Sequence, residues 1–256
     1  MEHMPVLFVG HGSPMNAIED NRFSAQWKKL AERIPRPEAI LSVSAHWYTA
    51  GLRVSDDPAP RLIYDMYGFP KELYEVRYDA PGAPHFAGMT KQLLGVDVRV
   101  DDSWGLDHGT WSVLCHVYPQ ADIPVFQLSV DNRASAEEHY NTGRKLRALR
   151  DRGVLLFGSG NVVHNLSRVN WAMEDTGYPW AEEFDGYIKE NVLSGNHDNI
   201  FHYRRAGDSS KYAFTYFDHF APFLCALGAS EPEDEITVFN EACVLGSLSM
   251  TSYLFG

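Results

Sequence analysis

The sequence predicts an α/β fold: a single domain over residues 1–256 with a mostly parallel central sheet, flanking helices and some antiparallel edge strands. Three observations carry that expectation. Short β-rich apolar runs alternate with longer stretches at helical spacing, the order expected of a sheet covered by helices. Two of those runs, residues 6–9 and 154–157, are apolar from end to end and read as buried strands. And the strands repeatedly stop at a turn that combines glycine with histidine. Such turns set imidazoles at the carboxyl edge of the sheet, where open α/β folds bind their ligands.

Residues 6–9, VLFV, form the first strand, which ends at Gly10 just before His11, a histidine between two glycines. Ser13 and Pro14 follow, and proline is favoured just inside the start of a helix. Taken alone, His11 also reads as a turn residue bonded to backbone. Residues 23–34 have helical spacing with Lys28, Lys29 and Arg33 outward, and Pro35 and Pro37 end the run. Residues 39–45, AILSVSA, are a second buried strand leading into His46-Trp47-Tyr48, and residues 52–55 a short third. Residues 62–84 have no clean period but carry Tyr64, Met66, Tyr67, Phe69, Tyr74 and Tyr78. A loop so long is uncommon in a compact domain unless it covers a site; a surface loop pinned by aromatics is the alternative.

Further on, residues 85–94 read as a helix and 96–100 as a strand. The turn Gly105-Leu106-Asp107-His108-Gly109 then opens a helical run over 111–117. Residues 123–130 are a strand, and 134–150 an amphipathic helix stopped at Gly153. Residues 154–157, the most apolar strand, run into Gly158-Ser159-Gly160-Asn161, with His164 at what reads as a helix start. A helix over 180–192 and a polar loop over 208–211 follow. Residues 213–217 are aromatic and β-like, and lead to Asp218-His219 and a buried helix over 223–227. Residues 236–239 and 244–254 are the last strands, antiparallel because a hairpin-length gap joins them. No repeat, low-complexity stretch or linker interrupts the order.

Composition narrows the function. Acidic residues outnumber basic ones 34 to 22, a formal net charge of −12. That balance excludes a nucleic-acid or anionic-membrane partner, since either requires a basic footprint. The three cysteines are widely separated, which points to a reducing compartment. With neither a signal-like leader nor an apolar run of membrane length, the expectation is a cytoplasmic protein that acts on a small molecule.

Five of the eleven histidines, His11, His46, His108, His164 and His219, sit near strand ends or beside helix-opening turns. The other six, His3, His85, His116, His139, His197 and His202, lie in helices or polar loops and read as structural or solvated. Neutral imidazoles converging on one sheet edge build a metal site for Zn²⁺ or Fe²⁺, with open coordination if the metal is catalytic. Other chemistries find no footing. Gly158-Ser159-Gly160 lacks the third glycine of a dinucleotide fingerprint, no phosphate-binding loop is present, and neither Ser13 nor Ser159 stands in a nucleophile elbow.

The segments VGHGSPMNA, SVSAHWYT, GLDHGTWSVL, GSGNVVHNL and DHFAPFLCALG together resemble the class III extradiol ring-cleaving dioxygenases, most closely their 4,5-DOPA dioxygenase branch. The five motifs run in order from Val6 to the C-terminal part of the chain. The resemblance implies metal ligands at His11, His46 and His219. It makes His164 an acid/base histidine close enough to the metal to count as a ligand in some members, and His108 a second active-site histidine beside the substrate. It also implies a catechol (3,4-dihydroxyphenyl) substrate, O₂ as co-substrate, Fe²⁺ for ring cleavage and Zn²⁺ as an ion the same site accepts. Where the wider superfamily often has a carboxylate as third ligand, this chain has His219, with Asp218 adjacent. Two alternatives carry weight: a metal- or ligand-binding relative without catalysis, and a tetrapyrrole chelatase, which shares the Gly-His-Gly-Ser opening.

Overall fold

The computed structural model describes residues 3–256. Its strands are β1 (Val6–Gly10), β2 (Ala39–Thr49), β3 (Arg53–Val54), β4 (Arg99–Val100), β5 (Val125–Asp131), β6 (Val154–Gly160), β7 (Ile236–Phe239), β8 (Cys243–Val244), β9 (Leu248–Ser249) and β10 (Ser252–Phe255). The helices are α1 (Arg22–Trp27), α2 (Pro84–Leu94), α3 (His108–Val117), α4 (Ala136–Leu146), α5 (Pro179–Leu193), α6 (His197–Phe201) and α7 (Ala221–Ala229). Eight strands form one sheet in the order β4-β3-β5-β2-β6-β1-β10-β7, and β8 pairs with β9 separately. The centre, β5-β2-β6-β1, is parallel throughout, while β3 on β5, β10 on β1 and β7 on β10 are antiparallel. This is the α/β architecture expected from the sequence.

The central strands are buried along almost their whole length because helices cover both faces, and they are mainly apolar, with Ser42, Ser44, Gln127, Ser129 and Ser159 as buried polar positions. Along β1, Val6 and Phe8 enter one core cluster and Leu7 and Val9 the other; in β6, Val154 and Leu156 oppose Leu155 and Phe157 in the same way. Trp27 of α1 and Trp111 of α3 lie in the second cluster, whereas α4, α5 and α7 pack in the first. The chain from β1 through β2 to β5 moves in one direction across the sheet, then reverses to reach β6. Right-handed crossovers put the helix on the opposite face after such a reversal, which is where α4 lies. The strand ends at this reversal carry the histidines.

Several elements differ from expectation. The run 23–34 is α1 followed by a 3₁₀ turn, Leu30–Glu32, and the two together still bury Trp27, Leu30 and Ile34. The helix expected over 134–150 likewise tightens after Leu146 into a 3₁₀ segment, Arg147–Arg152, which ends at Gly153 with φ 76°. The strand expected over 96–100 shortens to β4. Residues 213–217 form no strand: Phe214 and Phe217 join Tyr203 and Phe220 in an aromatic cluster instead, ring centroids 5.3–5.9 Å apart. Aromatic β-like composition here serves packing more than pairing, which among the described residues is limited to one bridge between Phe214 and His164. The C-terminal run 244–254 divides among β8, β9 and β10, broken where Leu245 and Gly246 take positive φ. His164 opens no helix; its extended backbone is bridged to Phe214 on one side and Leu248 on the other. Among the described residues no helix is long and apolar enough to cross a membrane.

Candidate metal centre and active site

Register brings the site together. Gly10 of β1 is paired with Gly160 of β6, so His11 and Asn161 leave the sheet at the same level, and the His11 N–H donates to Gly160 O at 3.1 Å. In β2 the pairing to β5 jumps from Val43–Leu128 to Tyr48–Val130. The intervening residues bulge, and the bulge aims His46 at the same edge, as irregularities beside active sites commonly do. His108 is the first residue of α3, behind the N-cap Asp107. Gly109 beside it is required by space: a Cβ there would lie 2.9 Å from the His46 ring. His219 comes in just before α7, with its carbonyl accepting the Asn161 N–H at 2.9 Å. A Cβ on Gly160 would stand 2.2 Å from that carbonyl oxygen, so only glycine lets the segment approach.

All five strand-end histidines converge. Ring centroids lie 5.1 Å apart for His11–His46, 5.3 Å for His11–His219, 5.1 Å for His46–His219 and 3.9 Å for His46–His108. His164 stacks on His219 with centroids 3.4 Å apart and ring planes within 5°. The ligating atoms of His11, His46 and His108 all lie within 4.8 Å of one another, as do those of His164, His219 and Asp218. None of the other six histidines lines the cavity that these five share.

Each of three imidazoles has its Nδ1 occupied. His11 Nδ1 is 2.9 Å from Ser159 Oγ, whose own proton goes to Gly109 O. The hydroxyl therefore accepts from His11 Nδ1–H, and Nε2 keeps its lone pair. His46 Nδ1 lies 2.9 Å from Asp65 Oδ2, and His219 Nδ1 lies 3.0 Å from Asp218 Oδ1. Acceptors on Nδ1 hold the tautomer that offers Nε2 to a metal. The Nε2 atoms of His11 and His46 stand 3.2 Å apart. Two lone pairs at that distance suit a shared cation, and the donor set fits Zn²⁺ or Fe²⁺. For His108, Nδ1 is 3.0 Å from Asp65 Oδ1 but out of line for a hydrogen bond; the His108 backbone N–H takes that oxygen instead, at 3.0 Å.

Burial holds His11 and His164 well below the ordinary imidazole range, and neighbouring imidazoles push the same way. Burial likewise lowers His108, reinforced by His46 and opposed by Asp65, and it lowers His219 despite Asp218. His46 differs: burial works against its charged form, but the Asp65 hydrogen bond and the fields of Asp107, Asp65 and Asp218 outweigh it and raise the pKa. Asp65 is buried too, yet its bonds to His108 and His46 keep it well below the usual carboxylate range. Four of the five imidazoles are thus neutral at pH 7, as metal ligation and proton transfer require.

The second layer is where sequence reasoning falls short. No motif singles out Asp65, although it is the one acid inside the apolar run Leu62-Ile63-Tyr64-Asp65-Met66-Tyr67, and that isolation is its signal. Ser159 supports His11 and is no nucleophile. Asp107, fully buried, accepts from Ser44 Oγ at 2.6 Å, Gln127 Nε2 at 2.9 Å and Trp104 Nε1 at 3.0 Å, which fixes the turn before His108. The cavity measures about 520 Å³, and its lining includes Asp65, Met66, Tyr67 and Phe69 from the aromatic loop. That loop does cover the site.

Fold and site together define a metal-dependent α/β enzyme with an open, imidazole-rich centre under an aromatic wall. The chain matches, over residues 1–256, the family described as the catalytic LigB subunit of aromatic ring-opening dioxygenase, and it belongs to that family of extradiol ring-opening enzymes. It is 44% identical to a 4,5-DOPA dioxygenase extradiol of Escherichia coli (strain K12), across 99% of this chain and 95% of that protein. It is 36% identical to a 4,5-DOPA dioxygenase extradiol of Beta vulgaris, across 97% and 95%. A crystal structure of an uncharacterized protein from Escherichia coli K12 superposes with a TM-score of 0.86 at 41% identity, covering 99% of this chain and all of that one.

Proposed function

We propose that residues 1–256 act as one cytoplasmic catalytic domain that opens the ring of a DOPA-like 3,4-dihydroxyphenyl substrate outside its hydroxyl pair, with one O₂ per ring. His11, His46 and His219 would hold the metal, with His164 at the same centre. What carries the reading is three imidazoles with Nδ1 tied to Ser159, Asp65 and Asp218 around a shared cavity. The relatives' names supply the substrate class.

Fe²⁺, when bound, supplies Lewis acidity toward the catechol hydroxyls and electrons toward O₂. The chain's own groups do the rest. His164, kept neutral by burial, takes a hydroxyl proton at its ring and returns it as the ring opens. His108 stands on the other side of His46 and hydrogen-bonds the substrate. Positioned acid–base help of this kind is worth about 10²–10⁴ in rate. The wall of Met66, Tyr67 and Phe69 excludes water and packs on the aromatic ring.

Anaerobic loading with Fe²⁺, then oxygen uptake across a catechol panel that includes DOPA, tests the proposal. A yellow semialdehyde that carries both atoms of ¹⁸O₂ is the expected product. The Zn²⁺ form binds catechol and consumes no oxygen, because zinc has no redox chemistry. No uptake with verified Fe²⁺ occupancy rejects ring opening and leaves the non-catalytic binding protein.

A further inference from the structure

His11, His46 and His219 each have a hydrogen bond that fixes the ring: their Nδ1 atoms are tied to Ser159, Asp65 and Asp218. The His164 ring has none to another described residue. It lies face to face on His219 instead, with centroids 3.4 Å apart and planes within 5°. A stack sets the separation of two rings but lets each turn in its own plane, so the aim of His164 is set by its backbone.

That backbone runs between two other segments. On one side lies the stretch around β9, where Ser249 N–H donates to Val163 O at 2.9 Å and Asn165 N–H to Ser247 O at 3.1 Å. On the other lies 212–219, which ends in Asp218 and His219. Here Asn161 N–H donates to His219 O at 2.9 Å and His164 N–H to Ala213 O at 2.7 Å. Beyond His164 the joining passes to a side chain. Asn165 is 5% exposed and does not line the cavity. Its Nδ2 donates to Tyr212 O at 2.7 Å, and its Oδ1 accepts from Ser167 Oγ at 2.6 Å and from Thr215 Oγ1 at 3.4 Å. Its own carbonyl accepts from Ser247 Oγ at 2.9 Å. One residue thus bonds to both neighbours of the segment, immediately after His164.

The chemistry of these bonds selects an amide. Tyr212 O is a carbonyl and can only accept, so the group that faces it must be an N–H. A carboxylate of the same shape sets oxygen against oxygen there while it keeps the acceptor for Ser167 and Thr215. Because 212–215 continues into His219, the amide holds the segment of one stacked ring against the segment of the other.

With His164 read as the acid/base group above, we propose that Asn165 is its positioning residue. The side-chain amide sets how the His164 ring lies over His219, and so where the proton is exchanged with substrate. Turnover depends steeply on this placing, since a misplacement of about 1 Å can cost about 10²-fold in rate. Binding of catechol and metal does not, because His11, His46 and His219 keep the partners of their own rings.

Two readouts test it, and the first needs no turnover. In zinc-loaded protein labelled with ¹³C-histidine, the ring protons of His164 and His219 are shifted upfield by each other's ring current, and His164→Ala assigns them. Asn165→Ala and Asn165→Asp are expected to lose most of that shift, with the His11 and His46 signals in place. Ser167→Ala, which removes a bond to the amide but none between the two segments, is expected to keep it. All three variants are expected to stay folded, as urea unfolding verifies. Arg168, 4.4 Å over the Tyr212 ring centroid, and the His164–Ala213 bond still join the segments.

The second readout is steady-state oxygen uptake by the Fe²⁺-loaded protein. In both Asn165 variants kcat is expected to fall about 10–100-fold. KM for catechol and metal content stay as in wild type, the mark of an interaction used only in turnover. Wild-type shifts or wild-type kcat in the Asn165 variants overturn the inference. So does unfolding, or a loss shared by KM or metal content, either of which makes Asn165 a support of the fold at large. No turnover in wild-type protein with verified Fe²⁺ rejects the ring-opening reading, and this inference falls with it.

Discussion

Asp65 reaches His46 Nδ1 at 2.9 Å through one carboxylate oxygen, and with the other it takes the backbone N–H of His108 at 3.0 Å. One side chain from the aromatic loop thus orients an imidazole of β2 and the first turn of α3. An amide in its place offers one accepting oxygen and turns an N–H₂ toward whichever partner is left.

Asp65→Asn is therefore expected to weaken metal binding and to lower turnover together. Outer partners of metal-bound histidines are worth about 10–100-fold in affinity or activity. Competition with a chromogenic chelator measures the first and oxygen uptake the second. Unchanged metal affinity in the variant removes Asp65 from the support of His46.

The ligand set makes a separate prediction. His11→Ala, His46→Ala and His219→Ala each remove an imidazole whose Nδ1 is already tied, and each is expected to leave purified protein with little metal at limiting metal concentration. His108→Ala is expected to retain its metal but lose turnover by about 10²–10⁴. His164→Ala loses turnover as well, and its metal content decides whether this ring, stacked on His219, also coordinates. Full occupancy in any of the first three variants, read by elemental analysis, strikes that residue from the set.

How much of this is legible in the chain follows from what each feature depends on. The strands are legible because covered strands are mainly apolar on both faces, and the five histidines because each follows such a run or a Gly-containing turn. Helix ends are less so: nothing local in residues 23–34 distinguishes an α-helix from α1 plus a 3₁₀ turn, since both bury Trp27, Leu30 and Ile34. Residues 213–217 mislead because an aromatic cluster and a strand draw on the same residue types. Asp65 and Ser159 gain their roles only once the sheet is assembled. Asp65 meets the His108 N–H across 43 positions of sequence and Ser159 meets His11 across 148, and such partners leave no local pattern.

Gly160 offers a test of close approach. A Cβ at this position meets the His219 carbonyl oxygen at 2.2 Å and its carbon at 3.1 Å, both backbone atoms that cannot swing aside. Gly160→Ala is expected to cost about 1–3 kcal/mol from overpacking and to weaken metal binding by shifting His219. Gly88, inside α2, is the control, because a Cβ added there would have nothing within 4 Å. Gly88→Ala is expected to stabilise by about 0.5–1 kcal/mol, since alanine is the better helix former. Urea unfolding of both variants, alongside a metal titration, separates the two signs.

The last prediction concerns Asp185, a buried carboxyl on α5 away from the histidines. It accepts from Ser249 Oγ and from Thr251 Oγ1, but burial outweighs both bonds and pushes its pKa up to about 6 from an ordinary 3.8. The sign follows from proton counting. Below about pH 3.8 the group is protonated in folded and unfolded chains alike, and its contribution to stability is fully present. Between there and about pH 6 the unfolded chain releases the proton while the folded one keeps it, so stability falls as pH rises. The difference amounts to about 3 kcal/mol at roughly 1.4 kcal/mol per pK unit. Asp185→Asn retains a carbonyl for Ser249 and an N–H for Thr251, whose hydroxyl also accepts, and it has no proton to lose. Relative to the wild-type chain, the variant is expected to gain stability between pH 4 and pH 7 by up to that amount, measured by urea unfolding at the two pH values. A difference that stays constant with pH, or moves the other way, shows that Asp185 does not carry its proton into the folded state.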